Sequence, residues 1–80
     1  MTHTILRLRA ILASTGLSRS TIYLRIAQGV FTKPVSLGGR AVGWPASEVA
    51  ALNAARIAGK PDAEIRELVA RLEADRKAVE

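Results

Sequence analysis

The stretch Thr-Gly-Leu-Ser-Arg-Ser-Thr-Ile-Tyr, residues 15–23, decides the fold of this chain. Gly16 can adopt a positive φ at low cost, so it favours the end of a preceding helix. Ser18 is a residue type that caps helix N-termini, because its hydroxyl accepts a backbone N–H of the first turn. The stretch therefore predicts a tight turn between two helices, with Leu17 filling the gap between them.

Apolar residues on both sides of this turn recur at helical spacing. Ile11 and Leu12 face inward in a short helix predicted over residues 9–14. A second helix is predicted over residues 19–28, where Ile22 and Ile26 lie four residues apart on one face. A helix, a short glycine-containing turn and a capped helix, in this order, are typical of a helix-turn-helix.

A β-hairpin is predicted after the second helix. Two short β-type runs, residues 35–37 and 41–44, flank a Gly-Gly pair that is followed by Arg40. A hairpin with a cation at its tip, placed after the second helix, indicates a wing. Its apolar residues are expected on one inward face with Trp44 in the core, namely Val35, Leu37, Val42 and Trp44. Residues 4–8 predict a brief strand or an extended lead-in.

Two further helices are predicted after the hairpin. Pro45 suits the first turn of a helix over residues 46–58, because its missing N–H costs nothing there. Asp62 is expected to cap a fourth helix over residues 63–77. The third helix takes its apolar side from Val49, Leu52 and Ile57, and the fourth carries an apolar stripe formed by Ile65, Leu68, Val69, Leu72 and Val79.

The predicted fold class is mainly α with a small β-hairpin. It combines a winged helix-turn-helix over residues 1–58 with a C-terminal amphipathic helix over residues 59–80. The stripe of the last helix can dock on the domain, or it can bind a second copy or another protein through residues 62–79. Because the stripe is long and the preceding domain looks complete, we favour self-association or a partner role.

Excess positive charge is confined to the first part of the chain. The net charge is +5. Residues 1–47 hold six basic and no acidic residues, whereas residues 48–80 hold six basic and seven acidic ones. Such one-sided charge is typical of a surface that binds a polyanion. A basic surface that serves only solubility is the alternative.

The composition argues against several classes of protein. An apolar fraction of 49% indicates a globular chain, and no cysteine is present for a disulfide or a thiolate metal site. No apolar run reaches the roughly 18 residues of a membrane helix, and residues 1–7 lack the apolar core of a signal peptide. We therefore expect a cytoplasmic protein that binds no membrane.

An enzyme is not expected. General acid–base catalysis needs carboxylates or histidines positioned in a pocket, but residues 1–47 contain no carboxylate and the later acids are spread over helix surfaces. His3 is isolated near the terminus, and Ser14 and Ser18 have no neighbouring base. We expect no catalytic residue, no metal, no cofactor and no small-molecule ligand.

Residues 15–23 and the stretch Lys-Pro-Val-Ser-Leu-Gly-Gly-Arg-Ala-Val-Gly-Trp, residues 33–44, resemble the AlpA family of phage regulatory proteins. Members of this family are small relatives of the MerR-type winged helix DNA-binding domain. Ser47-Glu48-Val49 is also similar to the start of the family's third helix. The resemblance extends over about residues 5–58 and implies a DNA-binding protein of prophages and other integrated elements.

The resemblance implies that Ser18 caps a recognition helix and that Arg40 sits on the wing. That helix is expected to enter the major groove of double-stranded DNA, while the wing contacts the flanking backbone. For Tyr23, a partly buried structural role is the alternative. The residues expected to contact or position DNA are Ser18, Arg19, Ser20, Thr21, Tyr23, Arg25, Lys33 and Arg40.

One departure from the family pattern follows Ile22-Tyr23. The family usually has arginine and then an apolar residue, whereas this chain has Leu24 and then Arg25. This exchange moves the cation by about 100° around the helix.

The sequence leaves three functions open. The favoured one is a sequence-specific transcription regulator that activates or represses by occupying its site. The second is an excisionase-like recombination directionality factor. The third is an antirepressor-like module that binds a protein and no DNA.

Overall fold

A computed structural model describes residues 3–78 and confirms a mainly α fold with a small β-hairpin. Within these residues the elements are, in chain order, β1 (Ile5–Leu6), α1 (Leu8–Thr15), α2 (Arg19–Ala27), β2 (Val35–Gly38), β3 (Ala41–Pro45), α3 (Ala46–Ile57) and α4 (Asp62–Asp75), followed by a single 3₁₀ turn, Arg76–Ala78. The lead-in before α1 is thus a brief strand.

The turn between α1 and α2 forms for the reasons read from its sequence. Gly16 ends α1 with φ 73°, and its N–H donates to the carbonyl of Leu12 at 2.9 Å. Ser18 is in an extended conformation before α2, and its hydroxyl accepts the N–H of Thr21 at 3.3 Å. Local backbone chemistry therefore sets the start of α2, which leads into the wing.

The three strands form one antiparallel sheet in the order β1-β3-β2. The β2–β3 hairpin, which we call the wing, turns through Gly38 and Gly39, whose φ angles are 104° and 55°. Residues that carry a side chain rarely adopt such φ angles, so the Gly-Gly pair explains why the chain reverses there. Arg40 follows directly and is exposed at the tip.

The expectation that four apolar wing residues share one face is wrong. Val35 pairs with Gly43, and Ser36 pairs with Val42. Side chains alternate along a strand and face the same way as their cross-strand partners, so Val42 and Trp44 lie on one face and Val35 and Leu37 on the other. Leu37 is accordingly 44% exposed.

Trp44 lies in the core, as the sequence predicted. It is fully buried, and its indole N–H donates to the carbonyl of Thr32 at 2.9 Å. Helices α1 to α4 and the segment between α2 and the wing all supply side chains to the apolar cluster around it. The buried members of this cluster are Ile11, Ile22, Val30, Phe31, Trp44, Val49, Leu52, Ile65 and Val69.

Two expectations about α3 and α4 are wrong. Ile57 is 87% exposed, and Ala55 instead packs against the core one turn after Leu52. Asp62 does not cap α4 with its side chain, because it is itself the first helical residue. Its carboxylate accepts a hydrogen bond from the guanidinium of Arg56 at 3.1 Å and so joins the two helices.

The stripe of α4 packs inside the domain. Ile65 and Val69 are buried in the common core, and Leu68 and Leu72 pack against it. Docking is therefore the alternative seen in the structure, and the premise that residues 1–58 form a complete core is wrong. Val79, the last stripe residue, lies outside the described residues. Among residues 3–78, no helix is both long and apolar enough to cross a membrane.

Candidate nucleic-acid interface

Helix α2 turns one continuous face to solvent. Ser20, Tyr23, Leu24 and Ala27 are exposed and follow the i, i+3, i+4, i+7 spacing of a single helical face. The opposite side carries Ile22, which is fully buried. The α2 face, as we call this exposed set, is flanked by Arg19 at its start and by Gln28 just after the helix.

The predicted residues of α2 divide into two groups in the structure. Arg19, Ser20 and Tyr23 lie on or beside the α2 face. Thr21 and Arg25 are half-buried on the flank of the helix. The hydroxyl of Thr21 forms a 2.9 Å hydrogen bond with that of Ser18, so both side chains take part in building the N-terminus of α2.

Tyr23 connects the α2 face to the wing. Its ring lies 6.5 Å from that of Trp44 in an edge-to-face arrangement. The guanidinium carbon of Arg19 lies 6.0 Å from the centre of the tyrosine ring, within the range of a cation–π contact. Tyr23 is still 40% exposed, so the ring has both a structural contact and a free surface.

The segment between α2 and the wing is held at both ends by α4 and the turn that follows it. At the first end, the Arg66 side chain donates from Nε to the carbonyl of Gln28 at 3.0 Å. At the other end, the N–H of Lys33 donates to Glu73 Oε2 at 2.8 Å, and Arg76 Nη2 donates to the carbonyl of Lys33 at 2.6 Å. These contacts fix where the wing begins relative to α2.

A partly buried ion pair supports the same region. Glu48, at the start of α3, is only 4% exposed. Arg76 donates two hydrogen bonds to its carboxylate, from Nε to Oε2 at 2.8 Å and from Nη2 to Oε1 at 2.6 Å. The hydrogen bond with Glu48 raises the pKa of Arg76 above its ordinary value, against the opposing effect of burial. Sequence reasoning missed this pair, because 28 residues separate the partners and nothing local signals it.

Within residues 3–78, the cations of the predicted interface form no salt bridge with a carboxylate. Over residues 3–78, the salt bridges are Arg56–Asp62 and Arg76–Glu48. Neither involves Arg19, Arg25 or Arg40, and Lys33 uses only its backbone in the contacts with α4 and the following turn. Helix α2 and the wing therefore carry positive charge that no carboxylate within residues 3–78 pairs with.

Known proteins resemble this chain over most of its length. Residues 4–57 match the family described as "Prophage CP4-57 regulatory protein (AlpA)". The chain is also 53% identical over 55 residues to the "Uncharacterized protein ORF88" of Enterobacteria phage P4, an alignment that covers 69% of this chain and 62% of the phage protein. No solved structure matches the chain.

The family match indicates a regulatory protein of prophage type. The chain belongs to the AlpA family, as its resemblance at residues 15–23 and 33–44 predicted. The aligned region spans less than two thirds of the P4 protein's length.

Proposed function

We propose that this AlpA-family regulator binds double-stranded DNA, with α2 in the major groove and the wing on the flanking backbone. The observation that carries the proposal is the exposed α2 face, bordered by Arg19 and joined through Tyr23 to a wing tipped by Arg40. An α-helix fits the major groove, and guanidinium groups bind guanine edges or phosphates there.

The charge distribution supports a polyanionic partner. No acidic residue precedes Glu48, and the carboxylate of Glu48 is buried against Arg76 rather than directed at the surface. A protein that neutralises phosphates releases counterions, so the electrostatic part of binding weakens steeply as salt is added.

The proposed activity is binding, without catalysis. Among the residues that the structure describes, no group of three or more histidine, aspartate or glutamate side chains is arranged to hold a metal ion. We expect the protein to act on DNA in the cytoplasm. The proposed mechanism is that it occupies a promoter and blocks or recruits other proteins there. Occupancy of tandem sites in an attachment region would instead favour the excisionase-like alternative.

The test is a binding selection from a random DNA library, followed by titration of the selected site and of random DNA at several salt concentrations. For Arg40→Ala we expect weaker binding to both DNAs and a salt slope smaller by about one unit. For Arg19→Ala we expect a loss of roughly 10- to 100-fold on the selected site and little change on random DNA.

Arg71→Ala is the matched control, because it removes an equal charge from an exposed position on α4 outside the proposed interface. Its effect should be below about twofold at all salt concentrations. A wild-type protein without measurable affinity for any DNA would refute the proposal and favour the protein-binding alternative. Equal losses on both DNAs for Arg19→Ala would refute the base contact assigned to Arg19.

A further inference from the structure

Leu24 is an apolar residue at the centre of the α2 face. It is 56% exposed, and within residues 3–78 the apolar core takes Ile22 and Ile26 from α2 rather than Leu24. The neighbours one turn before and after it on the same face, Ser20 and Ala27, have shorter side chains. Leu24 therefore projects from the middle of α2, where no fold requirement explains a large apolar group.

The unpaired cations of α2 and the wing suggest what covers the side chain of Leu24. Arg19 lies on the same helix and Arg40 on the adjoining wing, and neither forms an ion pair within residues 3–78. An exposed apolar residue on an element that also carries unpaired cations is complementary to DNA, whose phosphates flank a groove that contains one apolar group, the 5-methyl of thymine. The remaining base edges in the major groove are hydrogen-bond donors and acceptors, which leucine cannot satisfy.

We infer that Leu24 selects thymine in the target site by packing against its 5-methyl group, an inference that rests on the proposed function. In this arrangement Arg19 and Ser20 recognise polar base edges near the start of α2, and Leu24 recognises a methyl group about one turn further along. The residue therefore determines which base is accepted and adds no charge-dependent affinity.

The experiment uses the DNA site obtained from the random-library selection. Each thymine in that site is replaced in turn by uracil, which removes the methyl group and keeps every hydrogen-bonding atom. Affinities are measured for the wild type, for Leu24→Ala and for Ile57→Ala. The last variant is the control, because Ile57 is an equally apolar, exposed residue on α3.

At one or two thymines, uracil should weaken wild-type binding about fourfold, which corresponds to ~0.8 kcal/mol for one buried methyl-sized group. Ile57→Ala should show the same penalty as the wild type, whereas Leu24→Ala should show less than about a twofold penalty at those positions. Since Leu24 is exposed, its truncation should leave the melting temperature nearly unchanged.

The two possible failures are distinguishable. If a preferred site is selected but every uracil substitution affects wild type and Leu24→Ala equally, the role of Leu24 is refuted and the proposed DNA-binding function stands. If no sequence is preferred, the proposed sequence-specific function fails, and the role of Leu24 fails with it.

Discussion

Replacing Arg76 by alanine should destabilise this protein far more than replacing an exposed arginine such as Arg71. The guanidinium of Arg76 makes two short hydrogen bonds to the carboxylate of Glu48 and a third to the carbonyl of Lys33. Paired hydrogen bonds between an arginine and a carboxylate are stronger than neutral ones, and the loss of the arginine leaves an unpaired charge in a buried site.

The magnitude follows from the burial of the two partners. Side-chain exposure is 6% for Glu48 and 22% for Arg76. Breaking a buried ion pair by removing one partner costs about 3–5 kcal/mol. We expect the lower end, about 3 kcal/mol, because removal of Arg76 opens a path for water to the carboxylate. In a domain of this size that loss lowers the melting temperature by roughly 12–24 °C.

The assay is urea and thermal denaturation followed by circular dichroism, applied to a double-mutant cycle with Glu48→Gln. With a neutral amide at position 48, Arg76→Ala should cost only about 1 kcal/mol, which leaves a coupling energy of about 2 kcal/mol. Arg71→Ala, an exposed position on α4, should change stability by less than about 0.5 kcal/mol. A cost below about 1 kcal/mol for Arg76→Ala alone, or equal costs in both backgrounds, would refute the reasoning.

Three further substitutions test the packing around the interface, each by urea denaturation. Gly43→Ala should cost about 1–3 kcal/mol, because the new Cβ would lie 2.5 Å from Cγ2 of Ile5; an unchanged midpoint would contradict this. Ser18→Ala should lower the free energy of unfolding by about 1 kcal/mol through loss of the α2 cap. An unchanged free energy would show that the N–H of Thr21 does not need the Ser18 hydroxyl. Thr32→Val should be neutral or stabilising by about 1 kcal/mol, since its buried hydroxyl has no hydrogen-bond partner among residues 3–78, and a clear loss would reveal a partner in solution.

The elements that sequence alone predicted are those whose signals are local. The turn at Gly16, the cap at Ser18 and the Gly-Gly hairpin each depend on residues within a few positions of one another, and all three form as expected. The family was also identified from two such stretches, residues 15–23 and 33–44.

Most of the features that sequence reasoning missed depend on distant parts of the chain. The face on which each wing residue lies depends on the strand register. Val35 pairs with Gly43 rather than with Val42 or Trp44, so Val35 lies on the face opposite to the one expected. The exposure of Ile57 depends on which side of α3 faces α4. The outward position of Leu24 does follow from helical periodicity, since it lies four residues after Ser20, but Arg25 rather than Leu24 was predicted at the interface.

The contacts of α4 have a consequence for the smallest unit that can fold. The region matched by the family ends at residue 57, before α4 begins at Asp62. A protein shortened to that region would lack Ile65 and Val69 from its core and the hydrogen bonds that hold both ends of the segment between α2 and the wing. We expect such a fragment to remain largely unfolded. The independently folding unit is therefore longer than the region that the family match covers.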